Sequence, residues 1–377
     1  MANVLLTVSG TIDPAIEGKI ARGERPRADY LELARGFDAD LIDYVQARRE
    51  GGALGKLIEQ IGGRNALLAW ACWRKRGQYR VIFTDGEQVG IPLALLLKFL
   101  GRGQAKTRHL MIVHILSVGK KMLFFDKLKI HSHVDRFVVY STWQKKFIEE
   151  RWRVPERRVI FTPFMVDDKF FAAERHSEPR SGEESPRNQL ETLRRPAAQG
   201  DTSIICAVGL ERRDYPTLMQ AVRDLAVRVV IAAASPWSKQ SDSTERAAVP
   251  ANVTVKKFTQ YELRQLYADS AFMVMPLYNV NFQAGVTAIL EAMALERAVI
   301  CSRTPGQTDV IVDGENGLYV PPEDAVALRA AIVALLNNPA EAARLGRNGR
   351  QLIETQMNLD HYVERLKKVV EEVTSSE

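Results

Sequence analysis

Cysteine is scarce in this chain: 377 residues hold three, Cys72, Cys206 and Cys301, widely spaced and each in an apolar context. An odd, scattered set excludes a disulfide framework and offers no zinc-ligand spacing, so small buried thiols in a reducing compartment are expected. Long hydrophobic runs are also missing. None reaches the roughly 18 residues that a bilayer span needs, and the longest, Ile91 to Leu97, reads as a buried helix face. The start, Met1-Ala2-Asn3 followed by Val4-Leu5-Leu6, has no basic segment and no signal-length apolar region. A cytoplasmic location is therefore expected. Neither G-x-G-x-x-G nor G-x-x-x-x-G-K-[ST] occurs, which removes the main support for dinucleotide and P-loop readings, and there is no H-E-x-x-H.

What is present is an ordinary globular composition, 46% hydrophobic and 26% charged, long enough for two domains. The net charge of +6 is uneven. Between Lys98 and Arg158 there are 15 Lys or Arg and 5 Asp or Glu; from Thr259 to the end there are 10 basic and 16 acidic residues. One domain facing an anionic partner and a merely solvated basic face are both consistent with this.

Short β-branched runs alternate with helical patterns along the first 170 residues. Val4–Val8, Arg80–Thr84, His109–His114, Arg136–Tyr140 and Val159–Thr162 read as strands, with helices over 89–100 and 142–151. Near-continuous apolar strands between helices mean a parallel sheet covered on both faces. Residues 172–201 are rich in Glu, Arg, Ser and Pro and read as a flexible charged linker. Strands then recur at 204–208, 227–232, 271–275 and 298–302, with helices at 216–225, 260–268, 287–294, 325–336, 340–356 and 359–373. The expected architecture is α/β, two Rossmann-like parallel-sheet domains facing across a cleft: an acceptor domain over 1–171, a nucleotide-sugar donor domain over 202–356, and a C-terminal helix in 357–377. In such sheets, ligands sit beyond the carboxyl ends of the strands.

The segment NFQAGVTAILEAMA, Asn281 to Ala294, leads from a turn with Gly285 into a helix. The amides of Val286 and Thr287 then stand at a helix amino end, where a diphosphate can bind. Glu291, in the second turn, has oxygens suited to paired ribose hydroxyls; an ordinary helix with an exposed acid is the alternative.

Several strings in order resemble the family 4, or group 1, glycosyltransferases of the GT-B fold: YSTWQKKFIEERWRVPERRVIFTPFMVD, AVGLERRDYPTL, PLYNVNFQAGVTAILEAMA and TPGQTDVIVDGENGLYVPPED. The resemblance runs from Thr142 to the C-terminus and covers the first third only in layout. It implies a retaining transfer from a nucleotide-diphosphate sugar to an acceptor hydroxyl, with no cofactor and no metal. Glu291 matches the ribose-binding second Glu of E-x7-E. Gln283 stands where the first Glu, which lies against the donor sugar, would be; it keeps an acceptor oxygen, adds donors and loses the charge. Arg213 matches the basic residue on the diphosphate, and Arg212 compensates for Leu210, which replaces a common arginine. His114 matches a cleft histidine near the sugar, and Gly10 the first loop. Asp85 and Glu87 face the same cleft edge, to bind an acceptor hydroxyl or to cap the following helix. Leu116 to Lys129, LSVGKKMLFFDKLK, interleaves basic and bulky apolar residues. It suits a lipid-linked acceptor at an anionic membrane and a peripheral place on its inner face, or a plain helix with Leu123, Phe124 and Leu128 in the core. Nucleic acid is not an expected partner: the basic region lacks stacking aromatics and known motifs, which leaves that reading weak. A GT-B nucleotide-sugar-binding protein with little or no transfer is the alternative that Gln283 and Leu210 raise.

Overall fold

The computed structural model describes residues 3–101, 107–172, 203–233 and 249–375. The expected linker therefore lies outside the described residues, except residue 172.

The first sheet holds β1 (Val4–Thr7), β2 (Ala39–Ile42), β3 (Val81–Thr84), β4 (Arg108–Val113), β5 (Arg136–Val139) and β6 (Val159–Phe161). The second holds β7 (Ile204–Val208), β8 (Arg228–Ala232), β9 (Val253–Lys256), β10 (Phe272–Met275), β11 (Ala298–Ser302) and β12 (Leu318–Val320). Their orders are β2-β1-β3-β4-β5-β6 and β12-β11-β10-β7-β8-β9, with every pairing parallel. Inner strands such as β1, β3 and β10 are buried along their whole length, because helices cover both faces.

The connecting helices are α1 (Ile16–Ala21), α2 (Asp29–Phe37), α3 (Tyr44–Lys75), α4 (Glu87–Leu100), α5 (Gly119–Leu128), α6 (Thr142–Trp152), α7 (Tyr215–Val222), α8 (Gln260–Asp269), α9 (Val286–Ala294), α10 (Ala325–Asn337), α11 (Pro339–Leu352) and α12 (Leu359–Ser375). The helix expected over 340–356 ends instead at Leu352, and Ile353–Met357 form a wider π turn. Ile353 and Met357 point into the second core, so the widened turn serves packing as it redirects the chain. Among the described residues, no helix is long and apolar enough to cross a membrane.

The chain passes between the two sheets twice, side by side. After β6, Val166, Phe170 and Phe171 already belong to the core of the second sheet. In return, Leu359, Tyr362, Leu366 and Val370 of α12 pack with Val4, Leu6 and Leu33 on the first. The hydroxyls of Tyr140 and Tyr362 meet at 2.8 Å. Where the crossings run together, the Val166 amide donates to the Met357 carbonyl and the Leu359 amide to the Val166 carbonyl, both at 3.0 Å. The hinge between the sheets is thus a short parallel bridge, not a single strand of chain.

Candidate functional site

The turn after β7 and the turn before α9 are laced together. The Asp214 amide donates to the Pro276 carbonyl and the Tyr278 amide to the Arg212 carbonyl, and Arg213 bridges Leu277. This brings Gly209 and Gly285 against one guanidinium. A Cβ on Gly209 would lie 2.5 Å from Arg213 Nη2, and one on Gly285 would lie 2.7 Å from the same atom. Both glycines also hold left-handed backbone, φ 100° and 77°, which side chains disfavour. A side chain at either glycine would collide with Arg213.

Arg213 is 5% exposed. Its Nε donates to the Val208 carbonyl at 2.7 Å and its Nη1 to the Glu211 carbonyl at 2.6 Å. The resemblance matched Arg213 to the basic residue on the donor diphosphate. The structure shows a guanidinium clamped by backbone, with Nη2 beside Gly285. Burial lowers its pKa from the ordinary value, opposed by Tyr215 and Cys301, without discharging a group so basic. Arg212 is exposed, in a left-handed conformation.

Gly285 is the N-cap of α9 and supplies no capping side chain. The first amides, from Val286 and Thr287 onward, therefore gain nothing from a cap and stand at the positive end of the helix dipole. Val286 is buried and Thr287 exposed. Further along, half-buried Glu291 accepts a hydrogen bond from Tyr267 Oη at 2.9 Å. Burial pushes its carboxyl up to about 7, with the Tyr267 bond opposing. Tyr267, on α8, lies within electrostatic reach of Arg213 as well. Sequence reasoning missed Tyr267, since a tyrosine on the inner face of a helix carries no motif.

Gln283 is the one buried amide at this end whose oxygen and nitrogen both lack a hydrogen-bond partner among the described residues. Leaving such a group unpaired costs about 1–3 kcal/mol. The backbone of Phe282 beside it presses on Gly306, where a Cβ would lie 2.2 Å from the Phe282 carbonyl oxygen.

Opposite stands the first sheet. His114 is exposed at the end of β4, its Nε2 donating to the Asp85 carbonyl at 3.1 Å and its ring 5.5 Å from that of Tyr140. Gly10 has extended or right-handed backbone, with nothing within 4 Å of where a Cβ would sit. Asp85 and Glu87 reach different strand ends. Asp85 ties β1 to β3, accepting from Thr7 Oγ1 at 2.5 Å and from the Ser9 amide and hydroxyl at 2.5 and 2.8 Å. Glu87 turns the other way, accepting from the His114 and Ile115 amides and, at 2.6 Å, from Lys121 Nζ. Burial alone would raise the Glu87 carboxyl, but His114 and Lys121 hold it below its ordinary value. Neither residue caps α4, whose N-cap is Gly86 without a side-chain bond. Both carboxylates are engaged in holding the strand ends.

Hydrogen bonds join the faces across the cleft: Ser117 Oγ to Asn281 Oδ1 at 3.2 Å, and the Thr142 amide and hydroxyl to the Asp309 carboxylate at 2.9 and 2.6 Å. Asp309 falls at the Glu of the G-x-x-E string, a signal that was available in the sequence. The sequence also contains one D-x-D string, Asp38-Ala39-Asp40. Asp38 ends α2 and Asp40 accepts from Tyr79 Oη at 2.8 Å, at the start of β2 and so at the sheet end away from the cleft.

Residues 203–338 match the family model described as glycosyl transferases group 1. The uncharacterized glycosyltransferase MJ1178 of Methanocaldococcus jannaschii is 29% identical over 113 residues, which is 30% of this chain and 31% of that protein. The chain thus matches about a third of the length of that curated relative. Among solved structures, the sucrose-phosphate synthase from Thermosynechococcus elongatus superposes with a TM-score of 0.70 at 19% identity, covering 99% of both chains. Anabaena HepE in complex with UDP and glucose gives 0.68 at 12% identity, covering 98% of this chain and 100% of that one. The fold is GT-B, and the resemblance to group 1 glycosyltransferases holds over residues 203–338.

Proposed function

We propose that this protein transfers a sugar from a nucleotide-diphosphate sugar to an acceptor hydroxyl, with retention at the anomeric carbon and without a metal. The observation that carries the reading is the meeting of Arg213 and the amino end of α9 at Gly285, with Glu291 on the same helix. In this reading the diphosphate lies on the amides of Val286 and Thr287. Arg213 acts from behind Gly285 as a fixed positive charge in a low-dielectric surround, where it needs no reorganisation as the leaving group gains charge. Arg212 adds a mobile cation from the rim. Glu291 accepts from two ribose hydroxyls while Tyr267 holds its other oxygen. Gln283 finds its partners in the hydroxyls of the donor sugar, and His114 meets the sugar from the opposite face. The acceptor attacks on the side the phosphate leaves, and its proton passes to a phosphate oxygen. The contacts at Asn281 and Asp309 close the cleft against water.

A lipid-linked acceptor at an anionic membrane is the acceptor reading that α5 supports. Phe125, not Leu123, fills the core, and Leu123 is 57% exposed among Lys120, Lys127 and Lys129. Phe99 and Leu100, 58% and 52% exposed, end α4, whose Lys98 Nζ donates to the Leu128 carbonyl at 2.6 Å.

A thermal-shift screen against UDP-, GDP-, ADP- and dTDP-sugars tests the donor assignment. One base is expected to stand out, since a ligand at 100 times its Kd stabilises by about 2.7 kcal/mol. No shift with any of the four contradicts it.

A further inference from the structure

Apart from the donor residues, the α1–α2 connection, the first crossing and α8 enclose a cavity of about 310 Å³. Its wall carries Arg22, Arg25, Arg27, Lys169 and Arg264 against a single carboxylate, Asp167. Two of the cations are anchored. Arg27 donates through its amide and Nε to Asp167 at 2.8 and 3.0 Å and through Nη1 to Asp360 at 2.6 Å. The Arg264 guanidinium lies 4.8 Å from the ring of Phe170 and 4.9 Å from that of Tyr261, and donates to the Phe170 carbonyl. The other three are exchangeable. Arg22 pairs with Glu24, and Lys169 with Asp360, through side chains that are about half exposed, and such pairs hold weakly. Arg25 reaches only the Pro26 carbonyl, at 3.4 Å, and has no carboxylate partner among the described residues.

Three releasable cations beside two fixed guanidiniums suit a phosphate dianion, whose oxygens accept several charge-assisted bonds at once. The volume lies at the low end for small-molecule sites, roughly 300 Å³. Tyr261 adds an aromatic wall, on which a compact ring can lie. We propose that this cavity is a separate site for a small phosphate monoester of about one sugar ring, its phosphate toward Arg25 and Lys169 and its ring toward Tyr261. Because its walls come from both halves and from the crossing between them, an occupant also ties the two halves together.

Calorimetric titration of the intact chain with glucose 6-phosphate and with inorganic phosphate tests this. The ester is expected to bind, more tightly than free phosphate. The double variant Arg25→Ala, Lys169→Ala is expected to weaken it at least about tenfold, through loss of charge-assisted bonds, with the nucleotide-sugar thermal shift unchanged. Absence of binding, equal affinity in the double variant, equal affinity for free phosphate, or displacement of the ester by a nucleoside diphosphate would each overturn the proposal. The thermal shift of the donor is read separately, so failure here leaves the donor assignment standing.

Discussion

Arg213→Ala is expected to lower kcat/KM by at least about tenfold, the rate equivalent of about 1.4 kcal/mol. The effect should fall mainly on kcat. The positive charge behind Gly285 gains most when the diphosphate departs, so its loss is felt more in the transition state than in the bound donor. The side chain also donates to the carbonyls of Val208 and Glu211, so the variant loses stability as well, and its melting temperature must be measured alongside. Arg213→Lys separates the two roles. Lysine keeps the charge near Gly285 but lacks the forked donors that hold the turn, so it should recover part of the rate while remaining less stable than the wild type. A variant that melts lower yet turns over at the full rate would confine Arg213 to holding the turn.

Glu291→Gln is expected to weaken donor binding by about tenfold at pH 8, because a hydrogen bond from a ribose hydroxyl to a carboxylate contributes about 1.5–3 kcal/mol, roughly twice what a neutral amide oxygen gives. The larger signature is in pH. The Glu291 carboxyl is raised to about 7 by burial, so the acceptor form is the minor one below that pH. Donor affinity should therefore fall roughly tenfold between pH 8 and pH 6 in the wild type, and the glutamine variant should not show this slope. The linkage to stability runs the opposite way. A carboxyl whose folded value lies above its unfolded value of 4.5 contributes stability to the empty protein at low pH, and that contribution is lost as pH rises through about 7. Bound donor offsets the loss. A flat affinity profile from pH 6 to 8 in the wild type would remove Glu291 from the ribose.

The inner strands were legible as apolar runs because both faces of each sheet are covered. The strands that escaped, β2, β9 and β12, are all edge strands. Their burial alternates or is partial, as in Ala39–Ile42 and Val253–Lys256, so no continuous apolar run marks them. Helix α3 escaped for another reason: Gly52 and Gly63 leave helical geometry and break its periodicity into three pieces. At the site, the string around Gly285 showed where a helix begins, and that beginning is where Arg213 lies. What the string could not show is direction. Asp85 and Glu87 are two residues apart, yet one reaches back to β1 and the other to the end of β4, because each strand end presents its own unpaired amides. Arg213 likewise looked like a surface cation in a polar turn. Its burial follows from the two glycines, one of them far along the chain.

The most direct measurement compares a nucleoside diphosphate with its monophosphate by calorimetry, using the base that the thermal screen selects, on wild type and on Arg213→Ala. If the buried guanidinium and the first turn of α9 grip the second phosphate, the wild type prefers the diphosphate strongly and the variant loses most of that preference while binding the monophosphate nearly as before. An unchanged ratio of the two affinities would place the second phosphate elsewhere and contradict the account.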